Sequence, residues 1–172
     1  MDLAQSIRNI PDFPVKGIQF KDITTLLKDP AAFSAAVQAL LDHYADREID
    51  AVVAIEARGF IWGAIVAYQR GIGFVPVRKP GKLPAETIRV EYTLEYGTNA
   101  LEMHRDAIRP GQRVLVIDDL LATGGTAKAT CELVERLGGK VAGLAFLIEL
   151  TSLAGRDKLA EYDVWALIPM EG

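Results

Sequence analysis

The stretch from Val114 to Thr126 reads Val-Leu-Val-Ile-Asp-Asp-Leu-Leu-Ala-Thr-Gly-Gly-Thr, and it constrains the fold more than any other part of the chain. Its first four residues are a continuous apolar run, the pattern of a strand covered on both faces. Two adjacent carboxylates follow, then a loop rich in glycine and threonine. A helix is expected next, over Ala127–Leu137, ending at Gly138-Gly139. The rest of the chain repeats the alternation. Asp29-Pro30 reads as a helix start with proline at the first helical position. Phe33, Ala36, Val37, Leu40, Leu41 and Tyr44 then recur at helical spacing. Short apolar runs at Ala51–Ile55, Phe74–Val77, Arg113–Ile117, Val141–Leu150 and Val164–Ile168 read as strands, and Phe60–Gln69 reads as an apolar helix. The expectation is a single α/β domain over residues 1–172, with a mainly parallel central sheet flanked by helices.

The same stretch carries chemistry. Backbone N–H groups at a helix N-terminus are unpaired donors beside a positive dipole end, which suits a phosphate. Gly124 and Gly125 allow close approach, and Thr123 and Thr126 add hydroxyls. Asp118 and Asp119 would repel a phosphate, so ribose hydroxyls, with magnesium nearby, suit them better. The whole unit therefore reads as a cradle for ribose 5-phosphate. Neither the Walker pattern nor the Gly-x-Gly-x-x-Gly dinucleotide fingerprint occurs. In parallel sheets ligands sit beyond the carboxyl ends of the strands, and a second loop, Glu56–Gly59, leaves a strand end as well. Between Arg78 and Arg89 the chain turns basic, with Arg78, Lys79 and Lys82 set among Pro80, Gly81 and Pro84. Val90–Leu94 and Ala100–Met103 are expected to pair as a hairpin around Glu95–Asn99.

Composition removes several function classes. The 172 residues carry a net charge of −4, a poor balance for sequence-independent binding of nucleic acid. Cys131 has no partner for a disulfide, and with His43 and His104 it forms no recognisable zinc spacing. No apolar run reaches the ~20 residues of a membrane-spanning helix. The N-terminus lacks the layout of a signal peptide, so a cytoplasmic protein without membrane partners is expected. Packing or surface roles are expected for His104, Cys131, Phe60 and Trp62.

Five motifs, in order, resemble the type I phosphoribosyltransferases, and within them the branch acting on adenine. They are Phe13-Pro14 with Gly17–Ile23, Glu56–Phe60, Arg78–Pro84, Leu94–Gly97 and the Val114–Thr126 stretch; Glu149–Leu153 with Gly155-Arg156 adds to them. The resemblance implies transfer of phosphoribosyl from phosphoribosyl diphosphate to adenine, giving AMP and diphosphate, with Mg2+ held mainly through the substrate and no direct metal ligand predicted. It implies a homodimer, a base-binding segment at residues 1–28, and a basic loop with a mobile catalytic hairpin at 78–105. It assigns the 5-phosphate to Ala122, Thr123, Gly124, Gly125 and Thr126, and the ribose to Asp118 and Asp119. Diphosphate falls to Arg58, and Lys79 and Lys82 could also meet its charge; their basic loop lies at a dimer interface in related enzymes, so a basic residue there could serve the neighbouring subunit. The loop at Arg58 is expected to carry a cis peptide at a non-proline residue. Glu95, with Tyr96 beside it, is the candidate proton-transfer group near the purine N7. Phe20 would stack on the base with Leu120 opposite, and backbone around Gln19 and Lys21 would read its edge. Lys21 departs from the commoner arginine. Ala122 stands where relatives acting on 6-oxopurines carry aspartate, which favours adenine. Competing assignments are an Arg58–Glu56 ion pair, a plain turn at Glu95–Gly97 and a core position for Phe20. At the level of function the rivals are an enzyme for another base such as xanthine, and a non-catalytic phosphoribosyl-diphosphate sensor.

Overall fold

In a computed structural model of the chain, residues 1–94 and 97–172 are described, Leu94 by its backbone alone. The first part up to Asp22 has no buried residue, and the core begins at Ile23 and Leu26. Strands β1 (Arg8–Pro11) and β2 (Gln19–Asp22) form an antiparallel ribbon, followed by a single helical turn, α1 (Thr24–Leu27). None of these was anticipated, because neither strand carries the apolar alternation that marks a half-buried one.

Helix α2 (Pro30–His43) starts as expected, with the Asp29 carboxylate accepting from the Ala31 and Ala32 amides. The chain then alternates: β3 (Ala51–Ile55), α3 (Gly59–Arg70), β4 (Gly73–Val77). A hairpin of β5 (Thr87–Leu94) and β6 (Gly97–His104) interrupts the alternation. It is longer than the sequence suggested, pairing from Thr87 with His104 to Leu94 with Gly97. Then come β7 (Arg113–Leu121), α4 (Gly125–Arg136), β8 (Lys140–Leu150) and β9 (Val164–Met170). The five-stranded sheet has the order β4-β3-β7-β8-β9 and every pairing in it is parallel, as expected.

Why these runs are strands is visible in where their side chains go. In β7, Val114 and Val116 pack into one core with α4 and the hairpin, while Leu115 and Ile117 pack into a second core with α2 and α3. Strand β3 divides its Val53 and Val52 in the same way. Period-two alternation in a strand with no polar face fills both layers at once. At about 25 cal/mol per Å² of apolar surface buried, such a strand is among the strongest contributors to the fold.

Two boundaries differ from expectation where it matters. Strand β7 runs through both aspartates to Leu121, because β8 is long enough to pair Leu120 with Ile148 and Leu121 with Glu149. Helix α4 begins at Gly125, two residues early, because Gly124 at φ 90° turns the chain directly into it. No helix among the described residues is long and apolar enough to cross a membrane.

Candidate active site

The chain leaves β3 toward β4 on one side and returns as β7 on the other, so the carboxyl ends of β3 and β7 lie adjacent where the connections diverge. Such a divergence opens a crevice in an open parallel sheet. A cleft of about 340 Å³ lies there, floored by Ile55 and Asp118–Leu121 and walled by the Ala122–Thr126 turn.

The aspartates sit on the last, hydrogen-bonded residues of a buried strand, so the backbone ladder fixes them. Asp119 is 7% exposed, and its carboxylate accepts from Arg58 Nε at 2.5 Å. Asp118 Oδ1 accepts from the Asp119 amide at 2.8 Å. Enclosure by protein, and then the neighbouring Asp119 carboxylate, push the Asp118 carboxyl well above the usual carboxylate range.

Arg58 stands at the start of α3, half-exposed. Its partner is Asp119 rather than Glu56, and its guanidinium lies 5.6 Å from the centre of the Phe20 ring. Glu56 instead accepts from the Lys79 amide at 2.7 Å and from Arg78 at 3.3 Å, tying the loop after β3 to the basic loop. Burial raises the Glu56 carboxyl, but those two donors outweigh it and the net shift is downward. The peptide between Glu56 and Ala57 is cis.

The turn from β7 into α4 suits an anion. No side chain caps the first turn of α4, so its amides face the cleft without a competing acceptor from a cap. The turn is also braced from behind. A Cβ on Gly124 would stand 2.6 Å from the Gly155 carbonyl oxygen, and a Cβ on Gly155 would collide with the Ala122 carbonyl oxygen. The two glycines therefore let two backbones touch. Arg156, next to Gly155, donates to both oxygens of Glu149 at 2.8 and 2.9 Å and to the Val164 carbonyl at 2.9 Å. Glu149 is paired with Leu121 in the sheet, so this fork joins the bracing turn to the strand that carries the aspartates.

Most of the residues singled out in the sequence meet in this cleft: Arg58, Lys79, Asp118, Asp119, Leu120, Ala122, Thr123, Gly124, Gly125 and Thr126. Phe20 does not line the cleft itself; its ring lies against the Arg58 guanidinium and edge-on to Phe13 at 5.2 Å. Lys21 turns to Asn9, donating at 3.0 Å, and Asn9 donates to Gln19 at 2.7 Å. Lys82 is exposed and does not line the cleft. Glu95 and Tyr96 lie outside the described residues.

Sequence reasoning missed Tyr92, Asn99, Leu101 and Phe146, which also line the cleft. A signal existed for two of them. Tyr92 stands two residues after the buried Val90, hence on the same face of β5, and Asn99 is its cross-strand partner.

Comparison with known proteins agrees with this geometry. A family model described as a phosphoribosyl transferase domain matches residues 22–168. The chain is 64% identical to the adenine phosphoribosyltransferase of Chloroflexus aurantiacus, over 97% of this chain and 96% of that one. The crystal structure of the adenine phosphoribosyltransferase from Thermoanaerobacter pseudethanolicus superposes with a TM-score of 0.95 at 57% identity, covering 98% of each chain. That of the Saccharomyces cerevisiae enzyme, complexed with an imino-altritol bisphosphate and adenine, gives 0.90 at 39% identity, covering 96% of each chain. A match of this extent, on a sheet edge that already presents two aspartates beside an open helix N-terminus, places the chain in the adenine phosphoribosyltransferase family.

Proposed function

We propose that the chain forms AMP and diphosphate from adenine and 5-phospho-α-D-ribose 1-diphosphate. The observation that carries this reading is the end of β7. It holds two carboxylates on a buried strand and passes within a few residues into an uncapped, glycine-opened helix start, with the Arg58 cation opposite. A ligand with a phosphate at one end, vicinal hydroxyls in the middle and a second anionic group matches that sequence of donors and acceptors.

On this reading the amides of Ala122–Thr126 and the threonine hydroxyls hold the 5-phosphate. Asp118 and Asp119 accept from the ribose hydroxyls. Arg58 and Lys79 bind the diphosphate, so Arg58 must give up its bond to Asp119 as the donor enters. Adenine lies against Phe20, where the Arg58 guanidinium now rests. The purine N9 attacks C1 of the ribose, the bond from C1 to the diphosphate oxygen breaks, and the purine sheds one proton, for which Glu95 is the candidate acceptor. Most of the rate comes from alignment and charge neutralisation.

Two carboxylates without further protein ligands suit magnesium held jointly with substrate oxygens, and among the described residues no group of three or more His, Cys, Asp or Glu side chains gathers. Asp118 and Asp119 are the residues that would face it, and when bound it offsets the charge of the departing diphosphate. Lys82, exposed and outside its own cleft, supports a homodimer in which this lysine serves the partner's site. A multiply charged donor that does not cross a bilayer unaided supports a cytoplasmic location.

The test is chromatography of the products after incubation with adenine, phosphoribosyl diphosphate and Mg2+, with hypoxanthine, guanine and xanthine in parallel. AMP from adenine, little nucleotide from the others, and loss with a chelator are expected. Xanthine as the preferred base, or donor binding without any nucleotide, contradicts the proposal.

A further inference from the structure

Tyr92 touches the phosphate turn from outside the strand–turn–helix unit that defines it. Its hydroxyl is 3.1 Å from Thr126 Oγ1. Its ring packs on the core shared by β7 and α4. A Cβ on Gly125 would stand 3.4 Å from that ring, so the ring lies over the first residue of α4. Tyr92 lies on β5, in a different sheet from β7, and is the described residue of that strand that bonds to the turn.

A threonine hydroxyl has one hydrogen and two lone pairs. Left alone it rotates, and only some of its orientations present the hydrogen to an anion. We propose that Tyr92 is a positioning residue for the 5-phosphate: its hydroxyl donates to Thr126 Oγ1 and so directs the one threonine hydrogen into the cradle. The arrangement rests on the assignment of the Ala122–Thr126 turn to the 5-phosphate made above. An anion in the cradle favours this polarity, because the threonine hydrogen gains a charged acceptor only when the tyrosine supplies the other bond. Tyr92 itself need not contact the ligand. It acts through Thr126, and its rigid ring, wedged between the core and the helix start, costs little to hold in place. A second consequence concerns the donor and the base. The phosphate end of the site is tied to β5, whereas the base end is tied to the β1–β2 ribbon, so loss of the Tyr92 hydroxyl is felt by ligands carrying the phosphate and not by adenine.

The experiment is calorimetric titration of ribose 5-phosphate into the wild-type chain, Tyr92→Phe, Thr126→Val and the double variant, with KM for adenine and for phosphoribosyl diphosphate measured alongside. Tyr92→Phe keeps the ring and removes one hydroxyl, so the melting temperature should hold while ribose 5-phosphate binding weakens about three- to tenfold. KM for the phosphorylated donor should rise in step, with KM for adenine unchanged. In the Thr126→Val background the same change should have no further effect, since the hydroxyl it orients is gone. Should Thr126→Val fold poorly, Thr126→Ser replaces it, and there Tyr92→Phe must weaken binding as in the wild type. Unchanged affinity in Tyr92→Phe, additive losses in the double variant, or equal weakening toward adenine overturns the proposal. If the wild type makes AMP but Tyr92→Phe binds ribose 5-phosphate equally well, only this inference falls. If the wild type neither binds ribose 5-phosphate nor makes AMP, the functional reading falls and this inference with it.

Discussion

The strand end at Asp118–Thr126 and the ribbon at Arg8–Asp22 meet at Arg58, which bonds to Asp119 on one side and covers the Phe20 ring on the other. They are held by different forces. Behind the first lie a largely buried strand, two cores and a backbone-to-backbone brace at Gly155. The second is a pair of four-residue strands with no buried position, tied by side-chain bonds: Arg8 to Asp22 at 2.5 Å, Asn9 to Gln19 and Lys21 to Asn9. Exposed bonds of that kind contribute about 0–1 kcal/mol each, far less than a buried strand. On the proposed function this difference divides the work: the phosphorylated sugar would meet donors fixed by the core, and the base would meet a surface ribbon whose residues can change without disturbing the sheet.

Substitutions can break this division on one side at a time. The largest effect is expected from Gly124→Ala, which adds a Cβ at a positive φ against the Gly155 carbonyl. It should lower kcat/KM for the donor roughly a hundredfold, given strain of about 1–3 kcal/mol plus the displaced brace. Steady-state kinetics with varied donor would show it. Phe20→Ala should raise KM for adenine about tenfold, the scale of a lost base-stacking contact, and leave KM for the donor alone. A parallel rise in both would mean that the two regions are not separable. Arg156→Lys keeps the charge but loses the two-pronged bond to Glu149. It should raise donor KM about threefold, with kcat near wild type, because the brace acts through backbone rather than on the reacting atoms.

The smallest effect concerns acid. Bonds from the Thr24 hydroxyl and amide, and then from Arg8, lower the Asp22 carboxyl to about 2. A folded-state value below the unfolded one gives stability that is complete above the ordinary carboxylate value of about 4 and is lost as pH falls from there through the folded value. Thermal melts of the wild type should therefore decline between those pH values, and Asp22→Asn should decline less over the same interval.

The division also explains what could be read from the sequence. Strand β3 was legible to the residue, and the Ala122–Thr126 turn nearly so, because a run buried on both faces and a helix start both leave a composition signature. The extent of β7 was not, since only the length of its neighbour β8 carries the ladder past two aspartates. The ribbon left no periodic signal: its strands are defined by pairing between residues eight to fourteen positions apart, and its polar side chains bond to one another. Arg58 lines the cleft, but its resting partner, Asp119, lies 61 positions away and was not foreseen. Tyr92 lies outside every motif, and only alternation along β5 from the buried Val90 points its ring at the same turn.

The most direct test of the account is a crystal structure of the chain with AMP. The account predicts the phosphate against the amides of Ala122–Thr126, the ribose hydroxyls on Asp118 and Asp119, the adenine on the Phe20 ring, and Arg58 turned away from Asp119. A phosphate bound elsewhere, or a base seated away from Phe20 with the Arg58–Asp119 bond intact, would contradict it.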